Sequence, residues 1–539
     1  MRSERRGAVF WTLFGVIIPF FLLCHTWPPA HMAGTFDPID HQEEGVRAAA
    51  ANQYLHGKRP YRDIYLLYGV GNEIIEPVAV FHLFGMRLSS LRRWACVQEV
   101  VGPLALYALG LILLETPGAL LALALLIAYR NPFWISFRAA WALGAMCFVM
   151  EALRRRDPKA WILAGSTCAI AFLYSKETGI IPALSVGVLL AYQTLREGSR
   201  DIRLSLAPFA IGWSIIFLPL LLWLAVTGGL RFLVHDLLHP AAGYLSIWAT
   251  AAPPFAAPFR RFLHDPFLFY HPAGVGLRWW FPVFFYAATL VWSFQKPPAP
   301  QIQQFRVLTI FCGLYFLVAL GRSDFEHWLK ATAGYWLLLV AAIEQGWLAW
   351  SKAPWSGAKI ARMIIGGLIT CALAPIAFEG ALLATSADHL RLWRAALHHS
   401  HDSPNASLAR LGPRSLAPGE LQRWAGIADR IRHWAKPGDY VYVYCDYPTL
   451  YFLCDVINPT RYADLNYIVD PRMEAEVIAD LKRHPPRVIV GEWVNGQLII
   501  PAYGQNIARY IQTYFHPADT FGGFAFYRPT EIKAKPDQS

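Results

Sequence analysis

FDPIDHQEEGVRAAAANQYLHGKRPYRDIYLLYGVGNEIIEPVAVFHLFGMRLSSLRR, residues 36–93, lies between the first two long apolar runs of the chain. It carries Asp37, Asp40, Glu43, Glu44 and Asp63, with His41, Arg47, Arg59 and Arg62 among them. Residues 46–55 are alanine-rich with helical character, and the acidic residues ahead of them suit a helix N-terminus. Gly57 and Pro60 mark a turn, and the Tyr68-Gly69-Val70-Gly71 run permits close backbone approach. So many ionisable groups beside a membrane point to chemistry or binding in this loop, with the dipole-capping role as the plainer reading.

The rest of the chain explains why a membrane is nearby. Of 539 residues, 55% are hydrophobic and only 16% charged, against about 25% charged in a soluble domain. Apolar runs recur at 8–23, 94–114, 118–128, 133–153, 160–174, 179–195, 206–227, 279–294, 307–320, 331–350 and 363–383. Read by length, they make about eleven membrane-crossing helices. The links at 154–159, 196–203, 296–306 and 352–362 are short and basic, which places them and the N-terminus in the cytoplasm. Two large outer loops follow, at about 27–93 and 228–278, and a tail from about 386 also lies outside. The net charge of +11 is accounted for by these links, so nucleic acid is not expected as a partner.

The division expected is a transmembrane domain over 1–385 and a small extracytoplasmic α/β domain over 386–539. In the tail, 420–434, 473–483 and 507–515 read as helices, and 440–444, 487–490 and 523–527 as strands. None of the eight cysteines has CxxC spacing. Cys445 and Cys454 in the tail are open to two readings, a disulfide or two free thiols. His235, Asp236, His239, His264, Asp265 and His271 fall in the second outer loop, but their spacing matches no dense metal-ligand motif.

Glu43-Glu44-Gly45, then Pro60-Tyr61-Arg62-Asp63, then Leu83-Phe84-Gly85 and Arg92 resemble the first loop of membrane GT-C glycosyltransferases. The similarity is to bacterial members of the dolichyl-phosphate-mannose–protein mannosyltransferase (PMT, glycosyltransferase 39-like) type. Tyr174-Ser175-Lys176-Glu177-Thr178-Gly179 and Gly321-Arg322-Ser323-Asp324 with His327 are weaker matches. The resemblance implies a polyprenyl-phosphate sugar donor, a hydroxyl acceptor that is a glycan, lipid or protein, and an essential carboxylate in the first outer loop. The family has aspartate where this chain has Glu43, so Glu44, Glu43 and Asp40 are all candidates for the base, with Glu44 preferred for its place before Gly45. Arg62, Asp63, Lys176, Arg322, Asp324, His327 and Lys330 are the candidates for donor-phosphate or substrate binding. The resemblance leaves a divalent metal ion open as a cofactor, since some GT-C enzymes use one and others do not. The implied location is the bacterial inner membrane, with the chemistry on its periplasmic side. A transporter or flippase of a lipid-linked saccharide is the alternative, and an inactive scaffold a third reading.

Overall fold

The computed structural model describes residues 39–128, 137–197, 202–238, 250–264, 275–321, 323, 327–328, 331–352, 408–412, 416, 418–500 and 504–530. The chain divides into two compact units. One comprises residues 1–30, 95–220 and 248–394; the other comprises 31–94, 221–247 and 395–539. The second unit therefore takes the first outer loop together with the tail, crossing the sequence division at 385/386.

Every apolar run that falls within the described residues is a helix. In chain order from the first loop, the helices are α1 Glu43–Leu55, α2 Glu76–Phe84, α3 Leu88–Leu113, α4 Thr116–Ala128, α5 Phe137–Arg155, α6 Pro158–Tyr174, α7 Lys176–Glu197, α8 Ile202–Thr227, α9 Leu230–Leu238, α10 Ala256–Phe262, α11 Val275–Phe294, α12 Pro300–Gly321 and α13 Ala333–Lys352. The runs at 8–23 and 363–383 lie outside the described residues. Among the described helices, α3, α7, α8 and α12 are long and apolar enough to cross a membrane; α4, α11 and α13 carry shorter apolar stretches, Thr116–Leu126, Trp279–Phe294 and Ala333–Glu344. The core of the first unit is mainly apolar, built from α5, α6, α12 and α13 side chains such as Met146, Trp161, Phe311 and Trp336. Its helices pack closely where glycine allows it. A Cβ on Gly179 would lie 2.3 Å from the Phe172 nitrogen, which makes the Tyr174–Gly179 corner between α6 and α7 tight. Thr178 Oγ1 donates to the Ser175 carbonyl there (3.0 Å).

The tail contributes α14 Pro418–Trp434, α15 Thr449–Leu453, α16 Pro471–Arg483 and α17 Gln505–Tyr514 around one sheet. Strands β1 Val441–Tyr444, β2 Val488–Val494, β5 Phe524–Pro529 and β4 Phe515–Phe521 lie in the order β1-β2-β5-β4, and β3 Gln497–Leu498 pairs with β2. β1 and β2 are parallel; β2–β5 and β4–β5 are antiparallel. The strand runs at 440–444, 487–490 and 523–527 coincide with β1, β2 and β5. β4 occupies a stretch read from sequence partly as helix. Its Pro517 and Asp519 flank a register shift, and such residues are tolerated at a sheet edge but give no strand signal. Cys445 and Cys454 are free, buried thiols.

The first loop and the tail share an apolar core, in which Phe81 stacks on Phe452, and buried polar bonds are added to it. Asn52, fully inaccessible, donates through Nδ2 to the carbonyls of Tyr451 (3.1 Å) and Val456 (3.2 Å), and its Oδ1 accepts from Arg410 (2.8 Å). Gln53 donates to the Val456 carbonyl and accepts from the Asn458 N–H. Gly45 explains itself here: a Cβ would sit 2.3 Å from Thr449 Oγ1, so only glycine lets α1 approach α15 this closely. The Asp236–Arg461 ion pair (2.6 Å), with both side chains about 95% buried, ties α9 into the same unit, and the Arg461 guanidinium lies over the Tyr65, Phe232 and Tyr462 rings.

Asn52→Leu is expected to destabilise the protein by about 1–3 kcal/mol, because its buried hydrogen bonds to the Tyr451 and Val456 carbonyls and from Arg410 are lost together. Thermal unfolding in detergent with a tail-specific probe checks this; an unchanged midpoint contradicts the role given to Asn52.

Candidate active site

Acidic residues converge at the start of α1, and each is held differently. Asp40 caps the helix: its Oδ1 accepts from the N–H groups of Glu43 (2.9 Å) and Gln42 (3.1 Å), and its carbonyl accepts from Gly45 N (3.0 Å). Capping satisfies N–H groups that the first helical turn cannot use. Burial, with help from Glu44 and Glu43 nearby, pushes the Asp40 carboxyl up to about 6, against the pull of its backbone bond and of Arg92.

Glu44 is buried and gripped by one guanidinium. Arg92 Nε lies 2.5 Å from its Oε1 and Nη2 2.8 Å from its Oε2, with side-chain exposures of 12% and 9%. This forked geometry is the strongest pairing two such groups make. Arg92, which enters from the first turn of α3, thus fixes the α1 N-terminus.

Glu43, one residue earlier, is only half-buried. The Tyr68 hydroxyl donates to its Oε1 at 2.9 Å. Tyr68 is itself held by Glu73, whose Oε1 accepts the Tyr68 N–H at 2.6 Å while the Glu73 N–H goes to the Gly69 carbonyl (3.1 Å). Glu73 is fully inaccessible and sits in a single π-helical turn, Gly71–Ile75, that runs into α2. Such turns recur at functional sites because the extra residue re-aims side chains. Arg47, three residues along α1 from Glu44, donates to the Asn72 carbonyl (3.1 Å) and pairs with Glu76. Asn72 Nδ2 is buried without a hydrogen-bond partner. The tail adds Asp464, which is 2% exposed and pushed up to about 7 by burial and then by Asp446.

The other sequence candidates are placed as follows. Arg62 is exposed and pairs with Asp63 (3.4 Å), whose Oδ2 also accepts from Arg59 N (3.0 Å); these are local contacts of the turn that Tyr61, at φ 62°, and Gly57, at φ 84°, create. Lys176 opens α7 in the first unit and is half-buried, as is His327. Arg322, Asp324 and Lys330 lie outside the described residues, as do Asp37, His239, Asp265 and His271. Of the second outer loop, Asp236 is taken by Arg461. Among the described residues, no three His, Cys, Asp or Glu side chains are grouped to hold a metal ion. Sequence reading passed over Tyr68, Glu73 and Glu76; the signal was two glutamates inside the otherwise apolar Asn72–Pro77 stretch, where a charge must be paired to be buried.

No protein-family model matches the chain, and no curated protein matches it in sequence. Solved structures do. ArnT from Cupriavidus metallidurans bound to undecaprenyl phosphate aligns over 98% of this chain and 100% of its own, at 14% identity and a TM-score of 0.52. The Archaeoglobus fulgidus oligosaccharyltransferase in its apo form aligns over 96% of this chain and 74% of its own, at 13% identity and a TM-score of 0.47, too low to carry an argument. The ArnT likeness is one of fold, and it is the GT-C fold to which the first-loop motifs pointed.

Asp40 gives a pH signature. Its native carboxyl binds a proton more tightly than in the unfolded chain, where the ordinary value is 3.8. Its contribution to stability is therefore present at low pH and is lost as pH rises through about 6. Asp40→Asn keeps a capping side chain but does not titrate. Thermal melts should show the variant gaining on the parent from about pH 4 to about pH 6 and level above about pH 7; a pH-independent difference contradicts the assignment.

Proposed function

We propose that the protein is a glycosyltransferase of the outer membrane face, moving a sugar from a polyprenyl phosphate to an acceptor hydroxyl, with Glu43 as the general base. The observation that carries the choice of residue is the contrast among three neighbouring carboxylates. Glu44 has both oxygens in the Arg92 fork. Asp40 spends Oδ1 on two helix N–H groups. Glu43 is the more exposed of the adjacent glutamates, and the hydrogen bond to its Oε1 comes from a neutral hydroxyl, that of Tyr68. The sequence preference for Glu44 thus gives way to Glu43, and Glu44 becomes the group that fixes the helix start.

The chemistry is a single displacement. Glu43 takes the proton from the acceptor hydroxyl as its oxygen attacks the anomeric carbon. The bond from that carbon to the phosphate oxygen breaks, and polyprenyl phosphate leaves carrying the electron pair. Cations must meet the phosphate as its charge grows. Arg62, Lys176, Arg322 and Lys330 are proposed for this on chemical grounds, with Asp63, Asp324 and His327 as substrate contacts. A lipid-linked donor accords with the undecaprenyl phosphate in the ArnT structure. The acceptor is a cell-envelope glycan, lipid or protein. The basic links between helices support a bacterial inner-membrane location with the first loop and tail in the periplasm.

A transporter of lipid-linked saccharide would place unmet charge within its spans. Arg306 in α12 is not such a charge: it is satisfied by the carbonyls of Ser293 (3.0 Å) and Lys296 (2.9 Å) and stacks near Tyr192 and Phe294.

In proteoliposomes supplied with synthetic undecaprenyl-phosphate sugars and envelope acceptors, release of undecaprenyl phosphate is the readout. Glu43→Gln should lower turnover by about 10²–10⁴-fold, whereas Asp40→Asn should keep most of it. Full activity of Glu43→Gln removes Glu43 as the base; movement of labelled lipid without phosphate release establishes transport instead.

A further inference from the structure

We propose that Tyr68 is a positioning residue for Glu43, setting both the direction and the proton affinity of that carboxylate; this rests on Glu43 being the base. Three observations support it. The phenol donates to one oxygen of Glu43 at 2.9 Å, across 25 residues of chain. The Tyr68 backbone is anchored by a buried carboxylate, Glu73, at 2.6 Å, and not by solvent-exposed loop contacts alone. Glu73 is presented by the π-helical turn Gly71–Ile75, so the extra residue in that turn is what aims the carboxylate at the Tyr68 N–H.

The physical consequence is specific. A hydroxyl that donates to a carboxylate favours its charged form. It also fixes the position of one oxygen, and orientation is worth a large share of a displacement barrier. A phenol does this without the full charge of a guanidinium. The neighbouring pair makes the comparison within one helix turn: Arg92 immobilises Glu44 through both oxygens, and Tyr68 steers Glu43 through one. The site thus contains one carboxylate locked for structure and one held for use.

The test needs no identified substrate. In full-length protein in lipid nanodiscs, infrared difference spectra across a pH titration give the carboxyl band of Glu43, recognised as the band missing from Glu43→Gln. Tyr68→Phe should raise the midpoint of that band by about 1 pH unit, and replacement of Tyr68 by 3,5-difluorotyrosine, a more acidic phenol of nearly the same shape, should lower it. Midpoints unmoved by both changes overturn the proposal; if Tyr68→Phe does not fold, the fluorinated side chain decides alone. With undecaprenyl-phosphate sugars as probes, Tyr68→Phe should lower kcat with little change in KM and shift the acid limb of the pH profile upward with the infrared midpoint. An inactive Glu43→Gln alongside an unaltered Tyr68→Phe profile overturns the positioning role and leaves the base in place, whereas a fully active Glu43→Gln overturns the base itself.

Discussion

A carboxylate removed from water must be met by a donor, or it gives up its charge. The first loop of this protein buries or half-buries six of them between Asp40 and Glu76; Asp63 is met within its own turn by Arg59 N–H and Arg62, and the loop's structure follows from how the other five are met. Two are answered by arginine, Glu44 by Arg92 and Glu76 by Arg47. One, Asp40, is answered by helix N–H groups, one, Glu73 in the π-helical turn, by the backbone N–H of Tyr68, and one, Glu43, by a phenol. Breaking a buried charge pair by removing one partner costs about 3–5 kcal/mol, so the two arginine pairs define where α1, α2 and α3 begin. The glutamate met by a phenol, Glu43, is the one proposed for the chemistry.

The tail belongs to this arrangement. The loop's helix is fastened to it by side-chain amides reaching backbone carbonyls, by Gly45 against Thr449, and by His41, whose Nδ1 lies 3.0 Å from Thr449 Oγ1 and whose ring meets Trp424 and Tyr447. Hydrogen bonds of this kind are directional, so they fix register as apolar packing alone does not. Lys58 is held in the same way, its ammonium donating to the Asn458 and Thr460 carbonyls while burial lowers it to about 8. A loop of this composition would not hold a fixed shape unaided; the tail supplies the acceptors it lacks.

The membrane helices were legible because apolar length and basic links are strong, redundant signals. The tail's inner strands were legible for the same reason: Val441–Tyr444 and Val488–Val490 are buried β-branched and aromatic runs. Edge strand β4 was not, since Pro517 and Asp519 carry no strand propensity. The location of the acidic site at the Asp40–Glu44 stretch was readable from charge density beside an apolar run. How each carboxylate is held was not, because it depends on Arg92, Tyr68 and Glu73, with contacts that span 25 residues from Tyr68 to Glu43 and 48 from Arg92 to Glu44 and that only the folded chain creates.

The central claim is that the unit formed by the first loop and the tail receives the transferred sugar. A polyprenyl-phosphate sugar bearing a photoreactive diazirine on the sugar ring tests it most directly, with the labelled peptides mapped by mass spectrometry. The account predicts label within residues 39–94 and in the tail peptides around Asp446 and Asp464, suppressed by excess unlabelled donor. Competed label confined to the basic links at 154–159, 296–306 and 352–362 would contradict it.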